Sequence, residues 1–294
     1  MTILTQIPFA DYVGMPQINP SLLTHAFKSW KQFRHVQLNG FQPKTPTRVG
    51  TQLHSMVELL PLEKFQDEYV VMPDYKTSPD NVTGTGKPST SRTGWVKDQE
   101  AAFKDANGGA EVLELSEHKR VRRMLKSVQE CPDALDLIEG SQKEMSMTAE
   151  MCGIQCKGRM DGIKPVSSIL WDLKSTASIQ PQAFGRTATN LNYVFKMAFY
   201  TRLIVANGGA VDRVFFIAVQ DARPHKDGVT WNEAPDCTVI EVPMIAIENT
   251  FSTIDRLLYE LKACQDENAW PGVASHELYI PNWAMPEEDL ELCD

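Results

Sequence analysis

Two segments with strand-like alternation flank a turn-prone connector near the middle of the sequence, and this feature constrains the fold most. The first segment contains Asp161, the second contains Asp172, and residues 164–168 connect them. An antiparallel hairpin centred between Val166 and Ser167 places Asp161 opposite Asp172. Paired side chains in such a hairpin have Cβ atoms about 4.5–5.5 Å apart, and like charges at that distance are destabilising. The pattern therefore predicts a cation between the two carboxylates.

The alternation of the second segment indicates which side chains accompany Asp172. Asp172 and Lys174 fall on one face of the strand, and the apolar Trp171 and Leu173 fall on the other. Mg²⁺ takes carboxylate oxygens and keeps open positions for water and phosphate. A lysine beside it can hold a water or neutralise a developing oxyanion. A solvated ladder of mixed surface charge is the alternative interpretation.

The bulk composition is that of an ordinary globular protein, with 42% hydrophobic and 23% charged residues. The net charge of −9 argues against a protein that coats nucleic acid non-specifically. It does not exclude an enzyme whose basic residues line one channel. The six cysteines lack metal-site spacing, which favours reduced thiols in a cytoplasmic protein. We expect no signal peptide and no membrane partner, because no run approaches about 20 apolar residues.

Helical patterns surround the hairpin. The expected helices cover about 20–35, 47–60, 116–131, 181–207 and 245–264, and the expected further strands cover 145–155, 210–220 and 237–242. The order is helix, three strands, helix, two strands, helix. It predicts an α/β (α+β) fold in which a central mixed sheet is flanked by helices and carries the acids on its central strands.

We expect one domain over residues 1–294. Its parts are an N-terminal helical part at 1–45, a catalytic core at about 46–268 and an acidic tail at 269–294. Within the core, residues 73–110 are rich in Pro, Gly, Ser and Thr, which is typical of a long loop or an inserted lobe.

Two helices present polar side chains at helical spacing. Gly50 and His54 lie one turn apart, so another backbone could approach at the glycine and be reached by the histidine. A partly buried structural histidine is the alternative. On the long helix, Tyr193, Lys196 and Tyr200 share one face.

Taken in order, these motifs resemble the PD-(D/E)XK nuclease superfamily, its RecB-like branch, and most of all the exonuclease VIII (RecE) group of phage and prophage recombination exonucleases. The resemblance covers roughly residues 20–205 and keeps the order and spacing of every motif. It implies a restriction-endonuclease-like core. The matching elements are Gly50-Thr51-Gln52-Leu53-His54, Asp161, Asp172-Leu173-Lys174 and the helix from Tyr193 to Tyr200.

The resemblance also implies roles for the central residues. His54, Asp161, Asp172 and the backbone carbonyl of Leu173 would hold one or two Mg²⁺ or Mn²⁺ ions. Lys174 would orient and help to activate the attacking water.

Other residues are implied to contact DNA or to support the site. Tyr193, Lys196 and Tyr200 would contact the DNA backbone or brace the site, although Lys196 stands where the family usually has Gln. Lys157 and Arg159 are further candidates for phosphate contacts. A weaker candidate, for an outer-shell acid, is Glu144.

The activity that the resemblance implies is Mg²⁺-dependent exonuclease cleavage, 5′ to 3′ on double-stranded DNA ends. The resulting 3′ tails would serve a single-strand annealing recombinase, and the enzyme would form a ring-shaped homo-oligomer. Two alternatives stay open at this point: a structure-specific or restriction-like endonuclease, and a non-catalytic DNA-binding or assembly protein that retains the fold.

Overall fold

The hairpin that the sequence predicts lies within a five-stranded mixed sheet in the computed structural model, which describes residues 6–40, 50, 53, 54, 57, 69–108, 111–221 and 234–275. The described strands are β1 (Tyr69–Met72), β2 (Glu111–Glu114), β3 (Gln142–Met151), β4 (Ile154–Lys164), β5 (Ile169–Thr176), β6 (Arg213–Gln220) and β7 (Cys237–Val242). The α-helices with described bounds are α1 (Phe9–Gly14), α2 (Pro20–Leu23), α3 (Trp30–Asn39), α4 (Gly94–Ala106), α5 (Leu115–Gln129), α6 (Pro132–Ile138), α7 (Pro181–Asn190), α8 (Tyr193–Ala206) and α9 (Met244–Asp266).

The large sheet has the order β3-β4-β5-β6-β7. β3, β4 and β5 form an antiparallel meander, β6 lies parallel to β5 after α7 and α8, and β7 is antiparallel to β6. The β4–β5 register pairs Lys164 with Ile169 and Gly162 with Trp171. This register has the predicted centre between Val166 and Ser167, and the predicted mixed sheet flanked by helices is confirmed.

Hydrophobic clusters cover both faces of the sheet. Leu170 of β5 packs in one cluster with residues of α8 and α9, whereas Trp171 and Leu173 pack in the other with residues of α5 and α6. This alternation confirms the predicted faces of β5. A slip of one residue in β5 would exchange its two faces and bring the charged Asp172 and Lys174 into the apolar cluster that now holds Trp171 and Leu173, so it is strongly disfavoured.

Two predicted helices are interrupted. The helix predicted at 20–35 breaks before α3, because Ser29 is extended and its side chain accepts a hydrogen bond from the Gln32 amide at 3.1 Å, which caps a new helix. The helix predicted at 181–207 is divided between α7 and α8, since Asn192 has a left-handed backbone at φ 56°. Asn tolerates that conformation better than most residues.

Residues 73–110, predicted to be a long loop or an inserted lobe, contain the helix α4. Thr93 caps α4 by accepting a hydrogen bond from the Val96 amide. Before it, the buried Asn81 donates to the carbonyls of Ser89 and Ser91 at 2.7 and 3.0 Å. β1 and β2, which pair in parallel, flank this region.

Some predictions concern residues outside the described part. Of the helix predicted at 47–60, the described residues Gly50, Leu53, His54 and Val57 are helical, and the rest lies outside. Residues 276–294 of the predicted acidic tail also lie outside the described part. Where the structure describes helices, none is both long and apolar enough to cross a membrane.

Candidate active site

The candidate site lies where β4 and β5 separate. The backbone pairing of β4 with β5 ends at the pair Gly162–Trp171. One residue further along β4, the Asp161 carboxylate accepts a hydrogen bond from the Leu173 amide at 2.7 Å. A Cβ atom at Gly162 would collide with the indole of Trp171. Glycine therefore permits the close approach that places Asp161 beside the backbone of β5.

His54 reaches this point from a neighbouring helix. A Cβ atom at Gly50 would lie 3.3 Å from Ser175 Oγ, so the glycine allows the helix to pack closely against β5. One turn later, His54 Nδ1 lies 3.2 Å from Asp161 Oδ2. Burial alone would lower the pKa of His54, but the carboxylate of Asp161 raises it above its ordinary value. The predicted proximity of Gly50 and His54 to the strand is what the structure shows.

Asp161 is held as an anion. Burial opposes ionisation, but the charge of His54, the ammonium of Lys174 and the amide of Leu173 together hold the pKa of Asp161 well below its usual range. An ionised carboxylate is the form that binds a cation.

Asp172 and Lys174 form the second half of the site. Asp172 is only 6% exposed, and the Lys174 ammonium contacts its Oδ2 atom. Burial and the charge of Asp161 raise the pKa of Asp172, and the ammonium of Lys174 acts in the opposite direction.

Lys174 is kept charged by its neighbours. Burial would lower its pKa, but Asp172 and Asp161 raise it. Its ammonium also lies 3.3 Å from the Leu173 carbonyl oxygen. The Leu173 carbonyl, which was predicted to bind a metal ion, therefore accepts a hydrogen bond from Lys174.

A third acid, Glu144 of β3, lies at the same point. The pairs Lys143–Gly162 and Met145–Met160 align Glu144 with Asp161, and its backbone has a left-handed φ of 52°. Burial and the charge of Asp161 raise the pKa of Glu144 to about 7. The sequence signal for Glu144 is a two-residue turn at residues 152–153, which places it opposite Asp161.

The described residues contain one group suited to a metal ion: His54, Glu144 and Asp161. One ligand atom from each lies within 4.8 Å of the others. Two carboxylates and an imidazole suit a divalent ion such as Mn²⁺ or Mg²⁺, with oxygen as the preferred donor. The Oδ2 atom of Asp172 is already paired with the Lys174 ammonium and is not part of this group. The donor set therefore fits the predicted ion, with Glu144 added and Asp172 bound to Lys174.

The face of α8 that was predicted to support the site borders it. The ammonium of Lys174 lies 5.1 Å from the centre of the Tyr193 ring, and that of Lys196 lies 5.8 Å from it. Burial and the charge of Lys174 lower the pKa of Lys196. A Cβ atom at Gly158 would lie 2.9 Å from the Tyr200 ring, so Tyr200 packs directly on β4. Tyr193 therefore lies beside Lys174 and Lys196, and Tyr200 packs against β4.

Lys157 and Arg159 do not fit the predicted phosphate contacts. Lys157 is 3% exposed, and its ammonium donates to the carbonyls of Tyr12 and Met15, both at 2.7 Å. The guanidinium of Arg159 binds Glu144 at 2.6 Å and the Ile7 carbonyl at 2.6 Å. Both cations are thus engaged by the N-terminal part of the chain, which the local sequence pattern could not reveal.

One solved structure among those similar to this chain shares its fold. A crystal structure from Eubacterium rectale, of a protein with the provisional name of exonuclease, superposes with a TM-score of 0.60 at 16% identity and covers 100% of both chains. A phage-related exonuclease from Haemophilus somnus 129PT gives a TM-score of 0.29 at 12% identity, covering 59% of this chain and 85% of the other. No curated protein matches the sequence significantly.

The family comparison covers most of the chain. Residues 25–280 match the model of a family described as a PDDEXK-like domain of unknown function (DUF3799). This range includes every residue of the candidate site, and the Eubacterium rectale structure supports the same fold. The chain belongs to this PDDEXK-like family.

Proposed function

We propose that the protein is a metal-dependent deoxyribonuclease that acts on the ends of double-stranded DNA. The family supports a nuclease, and one observation carries the proposal further. Three acids, a histidine and a lysine meet where β4 and β5 separate: Asp161, Asp172, Glu144, His54 and Lys174. Such a concentration of interacting charge in a small cleft is typical of a catalytic site.

The residues divide into ion ligands and groups that act on water and phosphate. His54, Glu144 and Asp161 would hold a Mg²⁺ or Mn²⁺ ion, with Asp172 beside them. A bound ion would supply Lewis-acid polarisation of the scissile phosphate and a more acidic water. Asp161 stays oriented because the Leu173 amide and His54 both bind the same oxygen.

Lys174 is suited to the attacking water. Its ammonium is fixed by Asp172 and by the Leu173 carbonyl, so one of its three protons remains for a water or a phosphate oxygen. A fixed cation can stabilise charge that develops on the phosphoryl oxygens. Lys196, beside Tyr193, would bind a non-bridging phosphate oxygen, whereas the hydrogen bond that the usual Gln would make on the side of the attacking water would be lost.

The finer activity rests on the resemblance to recombination exonucleases. We infer 5′ to 3′ degradation of one strand, which would leave 3′ tails for a single-strand annealing recombinase in the cytoplasm. A ring-shaped homo-oligomer would keep the enzyme on its DNA. A monomer by light scattering that remains fully processive would exclude the ring.

The test uses linear duplexes labelled at the 5′ or the 3′ end and a covalently closed circle of the same sequence, with Mg²⁺ and with chelator. We expect mononucleotides from the 5′ label, an intact circle, and no cleavage with chelator. Cleavage of the circle would identify an endonuclease. Cleavage that persists in chelator, or DNA binding without any cleavage, would refute the proposed chemistry.

A further inference from the structure

The N-terminal part of the chain lies on β4, directly beside the candidate site. We call residues 7–18 the N-terminal strap. At one end of it, the Ile18 amide donates to the Gln155 carbonyl at 3.0 Å, and the Lys157 amide donates to the Ile18 carbonyl at 2.8 Å. The strap therefore adds a short bridge to β4 and then continues towards Arg159.

Lys157 fixes the C-terminal end of α1 within the strap. The last carbonyls of a helix have no partners inside it. The buried ammonium of Lys157 binds the carbonyls of Tyr12 and Met15, and it lies 4.7 Å from the centre of the Tyr12 ring. A cation at this end also interacts favourably with the helix dipole.

Arg159 joins the other end of the strap to the site. Its Nη1 donates to the Ile7 carbonyl at 2.6 Å, and its guanidinium lies 5.8 Å from the centre of the Phe9 ring. Its Nε donates to Glu144 Oε2, also at 2.6 Å. One guanidinium thus connects the strap with an acid whose ligand atom lies within 4.8 Å of those of His54 and Asp161.

The backbone and the carboxylate of Glu144 are held by different partners. A left-handed φ of 52° in a residue other than glycine persists only where the surroundings hold it. The β3–β4 pairs on both sides of Glu144 hold its backbone. Its carboxylate is held by the ion pair with Arg159.

We propose that Arg159 is a positioning residue, held by the N-terminal strap, which directs the Glu144 carboxylate towards the ion shared with His54 and Asp161. This inference rests on the proposed function. Loss of a group that orients a metal-binding side chain typically weakens metal affinity about 10- to 100-fold. If Arg159 only repelled the metal ion, its removal would strengthen metal binding. A loss of metal affinity on removal of Arg159 therefore indicates positioning, and a gain indicates repulsion.

The test is a calorimetric titration of the full-length protein with Mn²⁺ in the absence of DNA. We expect Arg159→Met to bind Mn²⁺ about tenfold more weakly or worse, and Arg159→Lys to recover part of the loss because it keeps the charge beside Glu144. Arg213→Met is the matched control, since Arg213 forms an exposed ion pair with Glu241 at the start of β6. Unchanged or tighter binding by a folded Arg159→Met protein would overturn the inference.

Two further variants test the strap and the underlying site separately. Phe9→Ala removes the ring beside the Arg159 guanidinium without touching the site, and we expect a smaller loss of Mn²⁺ affinity. Wild-type affinity in Phe9→Ala and in Lys157→Met would overturn the part assigned to the strap. Wild-type affinity in Glu144→Gln would show that Glu144 is no ligand, which refutes the inference but leaves a nuclease with other ligands. If the wild-type protein binds no Mn²⁺, the proposed function fails as well.

Discussion

Replacement of Glu144 by Gln should stabilise the metal-free protein at high pH but much less at low pH. Burial and Asp161 raise the pKa of Glu144 from 4.5 to about 7. The folded state therefore binds this proton more tightly than the unfolded state does. The stabilisation by the proton is fully present below pH 4.5 and is lost as the pH rises through 7.

The expected stabilisation by Glu144→Gln can be calculated from the pKa shift of Glu144. At about 1.36 kcal/mol per unit, a shift of 4.5 to about 7 corresponds to roughly 3 kcal/mol between the protonated and ionised forms. Gln is neutral, as the protonated acid is, so it avoids this cost. We expect Glu144→Gln to raise the free energy of unfolding by about 2–3 kcal/mol at pH 8 and by less than about 1 kcal/mol at pH 5.

The assay is urea unfolding of both proteins with chelator at pH 5 and pH 8. Glu241→Gln is the control, since Arg213 lowers the pKa of this exposed carboxyl and its loss should not stabilise the protein at pH 8. Mn²⁺ at 100 times the wild-type Kd should remove most of the difference at pH 8, because binding adds about 2.7 kcal/mol to the wild type. A Glu144→Gln protein that is no more stable than wild type at pH 8 would refute the reasoning.

Three further variants have defined outcomes. Gly162→Ala should destabilise the protein by about 3 kcal/mol or more in urea unfolding, because the new methyl group overlaps the buried indole of Trp171; a wild-type midpoint would contradict the packing described. Asn81→Ala should raise amide hydrogen exchange across residues 74–93 and leave the sheet protected, since Asn81 binds three carbonyls there; uniform exchange throughout would contradict a local role. Lys196→Gln should weaken DNA binding and make the slope of log binding constant against log salt concentration shallower by about one. An unchanged slope would exclude a phosphate contact.

The sequence predicted the centre of the site because strand geometry leaves few choices. With the turn at Val166 and Ser167, the two-residue period of a strand determines both the register and the face of Asp172. Glu144 could have been found in the same way. Cys152 and Gly153 both have positive φ and form a tight turn that aligns Glu144 with Asp161.

Other features depend on contacts that a local pattern does not contain. Lys157 and Arg159 alternate on a strand, which is the pattern of a phosphate-binding face, but the carbonyls that they bind in the N-terminal strap lie more than 140 residues earlier in the chain. The break at Asn192 was missed because apolar spacing continues on both sides of it, while a single left-handed residue redirects the helix. Long-range hydrogen bonds and single backbone conformations decided these cases.

The central claim is that Asp161, as an ion ligand, and Asp172, which holds Lys174, act at one site to hydrolyse DNA. The most direct test is the single-turnover rate of label release from a linear duplex at saturating Mn²⁺, for wild type, Asp172→Asn and Asp255→Asn. Asp255 pairs with Arg202 and serves as the matched control. We expect Asp172→Asn to be slower by about 10²- to 10³-fold and Asp255→Asn to match wild type. A folded Asp172→Asn protein that cleaves at the wild-type rate would contradict the account.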